Sequence, residues 1–308
     1  MSAPTASPLA VAHPPAARLD FATSFLALGS GVIWSFGVLT NRLAKHTDAW
    51  QYLIWRSLAI IVVVELLSRR RGARSPLARA YTSGWRMLVG CACLLVASLG
   101  FVYAVKNTTA ANASFLASLT PLFAVLFARV VLGEKLTKAT AIAILLAFTG
   151  LSIMVAADIG TGSMVGNIAA VLSSIGLAGY AVCVRSDPST DWSPVMPGYA
   201  SMMIVLCSVV TAVKGNTFLP PAHDTALAVF HGGVLIVFGT LVFNAASRKT
   251  PAVAMTVFAQ SEMVFAPIWV YLWLHEAPKR WTLVGGAIVL TAVVSLAVAD
   301  ARTRSRPA

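Results

Sequence analysis

The sequence predicts an all-α polytopic membrane protein of ten transmembrane helices, arranged as two inverted five-helix repeats. Composition, the spacing of apolar runs and an internal duplication carry that prediction. Of the 308 residues, 58% are hydrophobic and 11% charged, with a mean hydropathy of +0.79. A soluble domain carries roughly 25% charged residues, so this chain has too few ionisable side chains to cover a water-facing surface. The strict apolar–polar alternation that a membrane barrel needs is absent from the sequence.

Ten runs meet the length of roughly 20 apolar residues that a bilayer core requires. The first, 22–42, follows a Pro- and Ala-rich stretch at 1–19 that reads as a disordered cytoplasmic tail without a signal-peptide core. The second and third, 49–67 and 86–106, flank six arginines between Arg69 and Arg86. Lys106-Asn107-Thr108 separates the third from the fourth, 109–132, and Gly133-Glu134-Lys135 separates that from the fifth, 138–156. Asp158 to Gly162 closes a first repeat over 20–158. The sixth and seventh runs, 164–184 and 197–213, are parted by Asp187-Pro188, and Pro220-Pro221 precedes the eighth, 227–247. The ninth and tenth, 250–274 and 281–299, complete a second repeat over 163–300, and 301–308 is a basic cytoplasmic tail.

The net charge of +12 is a matter of topology rather than of nucleic-acid binding. With the N-terminus inside, 15 Lys and Arg fall in inside segments and six outside, the bias expected when both termini are cytoplasmic. Such clusters beside apolar spans also meet anionic headgroups. Cys91, Cys93, Cys183 and Cys207 lie within apolar runs, and no Cys/His metal spacing is present in the sequence.

Shifting the chain on itself by 142 residues aligns 88–153 with 230–295 without a gap and gives twelve identities. Among them, Gly90, Phe101, Ala117, Leu132 and Glu134 match Gly232, Phe243, Ala259, Leu274 and Glu276. At an offset of 143, Arg42 and Asp48 fall on Arg185 and Asp191. Five spans per copy is an odd number, so the second copy enters the membrane from the opposite side. Inverted repeats of this kind typify alternating-access carriers with a midplane site.

The stretch Asn107-Thr-Thr-Ala-Ala-Asn-Ala-Ser-Phe-Leu-Ala-Ser-Leu-Thr-Pro-Leu-Phe-Ala, followed by Leu132-Gly133-Glu134-Lys135-Leu136, resembles the fourth-helix signature of the EamA family in the drug/metabolite transporter superfamily. A weaker copy runs from Thr250-Pro251-Ala252 through Glu262 to Leu274-His275-Glu276. The resemblance covers about 20–300 and implies ten helices in two inverted bundles, usually exporting small metabolites such as amino acids. The family usually has Glu-Pro in the ninth helix; here Met263 follows Glu262 and the proline stands at Pro267, about one turn further along.

Charges at bilayer depth cost about 2.5–3.5 kcal/mol each and mark substrate or ion pathways by default. Glu262 lies at the centre of span nine beside Gln260 and Ser261. It can bind a substrate ammonium, exchange a proton during transport, or hold helices together as a neutral or paired carboxyl. Arg56, seven residues into span two, reads as a structural ion pair or carbonyl clamp, with Glu262 or a substrate carboxylate as candidate partners. Glu65 and Arg69, at i and i+4, read as an interfacial pair. Glu134 and Glu276 read as structural turns. Pro121 and Pro267 are candidate hinges; Ser118 and Thr120 flank the first and can line a cavity. Trp34, Tyr180, Phe238, Asn244 and Phe265 lie on the spans that line the cavity in the family. His231, near the outer end of span eight, reads as interfacial.

No His-Glu-x-x-His pair or phosphate-binding Gly-rich loop supports an enzyme, and two isolated deep charges do not form a channel's charged ring. The reading is a secondary carrier of the inner, cytoplasmic membrane, without cofactor or metal, exporting an amino acid or related amine. An uptake or facilitative carrier, or a channel-like pore, are the alternatives. Its partners are a small-molecule substrate and the lipid bilayer, not nucleic acid; oligomeric state is open.

Overall fold

The computed structural model describes residues 21–70, 72–108, 113, 116–117, 119–133, 136–155, 163–250, 252–275, 280–281, 283–285, 287–289, 291–292 and 295. The elements are α1 (Phe21–Leu43), α2 (Ala49–Arg70), α3 (Pro76–Thr82), α4 (Trp85–Asn107), α5 (Thr120–Leu132) and α6 (Lys138–Val155). They continue with α7 (Met164–Ser186), α8 (Val195–Val213), α9 (Ala222–Ser247), α10 (Ala252–Ala259) and α11 (Ser261–Leu274). All are helical, and π-helical stretches occupy Ala128–Leu132 in α5 and His231–Ile236 in α9.

Seven helices among the described residues are long and apolar enough to cross a membrane: α1, α2, α4, α7, α8, α9 and the α10–α11 pair. Shorter apolar helices stand at the fourth and fifth expected spans, and only scattered helical residues at 280–295 are described for the tenth. The tails 1–19 and 301–308, with Glu134, Glu276 and Ser118, lie outside the described residues, as does the side chain of Pro267.

The molecule presents apolar side chains outward as well as inward. Phe25, Val130, Leu145, Val205 and Val213 are each about two-thirds exposed or more. On a water-soluble protein such a surface would associate; in hydrocarbon it is matched. The helices themselves join through small residues, as membrane packing favours. α4 lies along α7 with Gly100 against the backbone of Ala169 and Ser173, and Gly176 against that of Cys93 and Ala97. The Ser173 hydroxyl donates to the Ala97 carbonyl at 2.7 Å.

Cross-contacts define two ends of the bundle. At one, the C-terminus of α1 and the start of α2 meet the end of α8 and the start of α9. There the His46 N–H donates to Asp224 at 2.8 Å and the Asn216 amide donates to Asp48 at 2.9 Å. Lys106, at the end of α4, donates to the Thr47 carbonyl at 2.7 Å, and Thr108 donates to Asn167 at the start of α7. At the other end, Arg79 of α3 pairs with Asp191 between α7 and α8 at 3.1 Å, and Arg248 at the foot of α9 donates to the Thr190 carbonyl. So α1 ends where α7 begins, α2 begins where α8 ends, and α4 ends where α9 begins.

Hydroxyl donors on Ser189 and Thr190, with Arg86 nearby, hold the Asp187 carboxyl below the usual range. Partial burial pushes Asp191 up, but the Ser193 N–H and hydroxyl and Arg79 outweigh it and leave it below its ordinary value. The connection between α2 and α4, read from sequence as an arginine-rich loop, contains α3. Ser75 caps it and Pro76 opens it. The expected Glu65–Arg69 pair is replaced: the Glu65 carboxylate accepts from the Ser75 hydroxyl at 2.9 Å and the Leu77 N–H at 2.8 Å. Free N–H groups at a helix start outcompete a solvated guanidinium for it.

Candidate functional site

A cavity of about 130 Å³ opens between the helices that α1, α2, α4 and α5 contribute and those of α7 to α11. Its lining follows the duplication. Trp34 and Leu177, and Arg56 and Tyr199, are pairs 143 apart; Leu94 and Ile236, Ser98 and Thr240, Ala117 and Ala259, and Thr120 and Glu262 are pairs 142 apart. These are twelve of the 21 lining residues, so the cavity sits where the two repeats face one another through equivalent positions. Midplane sites between repeats have this geometry.

Backbone breaks at matching places bring Thr120 and Glu262 to the cavity. In the first repeat Leu119 forms a tight turn, its N–H donating to the Leu116 carbonyl, and α5 starts at Thr120 with Pro121 in its first turn. Proline has no N–H to continue a preceding helix, so a start there costs nothing. In the second repeat Gln260 forms the turn, donating to Val257 and receiving from Met263, although Met263 stands where the first repeat has Pro121. The break expected near Pro267 therefore falls at Gln260, and α11 runs on through position 267. Packing makes it: the Ser261 hydroxyl donates to the Leu28 carbonyl at 2.9 Å, and Gly31 leaves room for Ser261.

Of the residues singled out in the sequence, Glu262, Gln260, Trp34 and Thr120 line the cavity, as does Arg56. Tyr180 and Asn244 do not: the Tyr180 hydroxyl donates to the Asn244 side-chain oxygen, and both are buried behind the wall. They support it through a stack in which Tyr180 backs Phe243 at 5.8 Å and Phe243 backs Trp34 at 5.3 Å. Phe265 stacks on Trp269 at 6.2 Å, outside the lining. Phe238 is 53% exposed on the outer surface. Arg56 forms no ion pair among the described residues; its guanidinium donates to the Ser98 hydroxyl. Glu262 likewise has no hydrogen bond or ion pair among them.

His231, expected at the interface, is buried in the cavity wall, because α9 begins at Ala222 rather than 227. Its Nδ1 shares a hydrogen with the Tyr52 hydroxyl at 2.9 Å, and Tyr52 donates on to Thr40 at 3.2 Å. Asn41, Ser98, Tyr199 and Thr240 also line the cavity and were not read from the sequence. The repeat offset was the available signal: Arg56 leads to Tyr199, and Ser98 to Thr240. Trp34 Nε1, Asn41 Oδ1, Arg56 Nε and Gln260 Oε1 are buried without a partner among the described residues, all four on cavity-lining residues. Buried polar atoms are ordinarily paired, so these four leave unused hydrogen-bonding capacity on the lining residues. No cluster of three or more metal-ligating side chains occurs among the described residues.

Helices of this length and apolarity, in two halves around a shared cavity that carries polar and charged side chains, define a multi-pass membrane protein of transporter type. The family model of the EamA-like transporters matches residues 22–156 and again 164–298, and the chain belongs to that family. It is 24% identical over 286 residues to the pseudopaline exporter CntI of Pseudomonas aeruginosa, covering 90% of this chain and 97% of that protein. It is 23% identical over 283 residues to human solute carrier family 35 member G1, covering 87% of this chain and 76% of that one. A solved crystal structure superposes with a TM-score of 0.76 at 16% identity, over 92% of this chain and 99% of its own. The family and these relatives are transporters, not enzymes.

Proposed function

We propose that the protein is a secondary carrier of the inner membrane that exports an amino acid or related small amine by alternating access. In this reading ten helices form two inverted five-helix bundles, with both termini cytoplasmic. The observation that carries it is Glu262: a carboxyl without a partner among the described residues, in a cavity lined by equivalent positions of the two repeats. A carboxylate at bilayer depth is costly unless it meets a cation or a proton. It binds the substrate's ammonium group or exchanges a proton, and the bundles rock about the cavity to expose it alternately. Export is supported by the similarity to an exporter in a bacterium.

Counterflow in proteoliposomes with labelled amino acids and polyamines, at two pH values, tests this. The expected result is saturable counterflow that Glu262→Gln abolishes or makes insensitive to pH. Full activity in that variant removes Glu262 from the mechanism, and absence of counterflow for every compound overturns the amino-acid reading.

A further inference from the structure

The two repeats bring equivalent positions to the cavity but opposite charges. Thr120 is a neutral residue where the second repeat has Glu262, and Tyr199 is neutral where the first has Arg56. Glu262 is the only Asp or Glu and Arg56 the only Lys or Arg on the lining among the described residues, one from each half, and they are not bonded to each other. Arg56 is 2% exposed, and its Nε has no partner. The contact it does make, to the Ser98 hydroxyl, is with a neutral group that can turn its own hydrogen toward a guest. Tyr199 lines the cavity beside Ser98. The backbone of Arg56 packs directly on Gly232, where an added Cβ would strike the Arg56 carbonyl.

A buried guanidinium without a counter-ion is strongly penalised unless an anion joins it. Its planar fork suits a carboxylate. Resting on the carrier reading above, we infer that Arg56, with Ser98 and Tyr199, forms a carboxylate-binding subsite opposite Glu262. The transported molecule is then a zwitterion, held by its carboxylate at the first repeat and by its cationic nitrogen at the second. A diamine satisfies only the second half, and a neutral solute satisfies neither.

The test compares the twenty standard L-amino acids with their carboxamides and with putrescine and cadaverine, by thermal shift of the purified protein in nanodiscs and by counterflow. An amide keeps the ammonium and the side chain and removes only the anion. The expected result is at least one acid that binds and moves, with its amide at least about tenfold weaker, since a site built around a charged partner rejects the analogue lacking it. In folded Arg56→Gln that preference falls to near unity, and Ser98→Ala, which removes only a hydroxyl, reduces it. Amides or diamines bound and moved as well as acids overturn the subsite and leave the carrier standing. Acid preference that survives in folded Arg56→Gln overturns it as well. No compound bound or moved overturns both readings together.

Discussion

Asp48 and Asp191 hold the same position in the two repeats, 143 residues apart, and each reaches across to the other repeat at opposite ends of the bundle. Asp48 accepts from Asn216, whereas Asp191 pairs with Arg79. A carrier that opens at one end must part the contacts there and keep those at the other. An ion pair bridges the repeats at the Asp191 end, whereas an amide donating to a carboxylate bridges them at the Asp48 end.

Asp191→Asn is expected to lower stability by less than about 1 kcal/mol, because the pair is partly exposed. The Asp191 carboxyl sits below its ordinary value in the folded protein. Its contribution is therefore complete above the unfolded value of about 3.9 and is lost as pH falls through the folded one. Melting curves of wild type and variant should differ by a constant amount from about pH 8 to 5 and converge below about pH 4. A difference that shrinks near neutrality would contradict the assignment.

Gly232→Ala places a methyl group against the carbonyl oxygen, carbonyl carbon and Cα of Arg56, all backbone atoms. α2 and α9 must separate, at a cost of about 1–3 kcal/mol or more. Gly29, with nothing within 4 Å of an added Cβ, is the control. There alanine should be neutral or gain about 0.5–1 kcal/mol. Thermal unfolding in detergent ranks the two variants.

Tyr180→Phe leaves the Asn244 oxygen buried without its donor, and should cost about 1–3 kcal/mol. Because neither residue lines the cavity, the order of preference among transported compounds should not change. A reordered preference would place Tyr180 in contact with substrate.

Phe238→Leu removes an outward-facing ring. Stability should move by less than about 0.5 kcal/mol, and counterflow should keep its rate and selectivity.

Seven of the spans were legible because twenty apolar residues in a row admit few other readings, and the repeat because polar landmarks kept their distances. The facing of polar residues within spans was not. Asn244 and Glu262 both look like cavity groups in sequence, yet Asn244 is satisfied by Tyr180 and Glu262 by nothing described. Which way a residue points depends on helix rotation, and in helices apolar on every side no periodicity reports it. The break at Gln260 escaped for a related reason: it is produced by Ser261 and Gly31 meeting across helices, not by a local proline. α3 was readable, since Ser75-Pro76 is a cap followed by a helix-opening proline, but the surrounding arginines suggested loop.

The unlike residues at matched positions also bear on how the halves can be taken apart. A symmetric pair of identical halves would give two arginines and two tyrosine-free walls, or two glutamates facing each other, and either would repel itself across the cavity. With Arg56 on one side and Glu262 on the other, the two repeats bring complementary rather than identical groups to the cavity. The two halves expressed as separate polypeptides should restore transport only when both are made in the same cell.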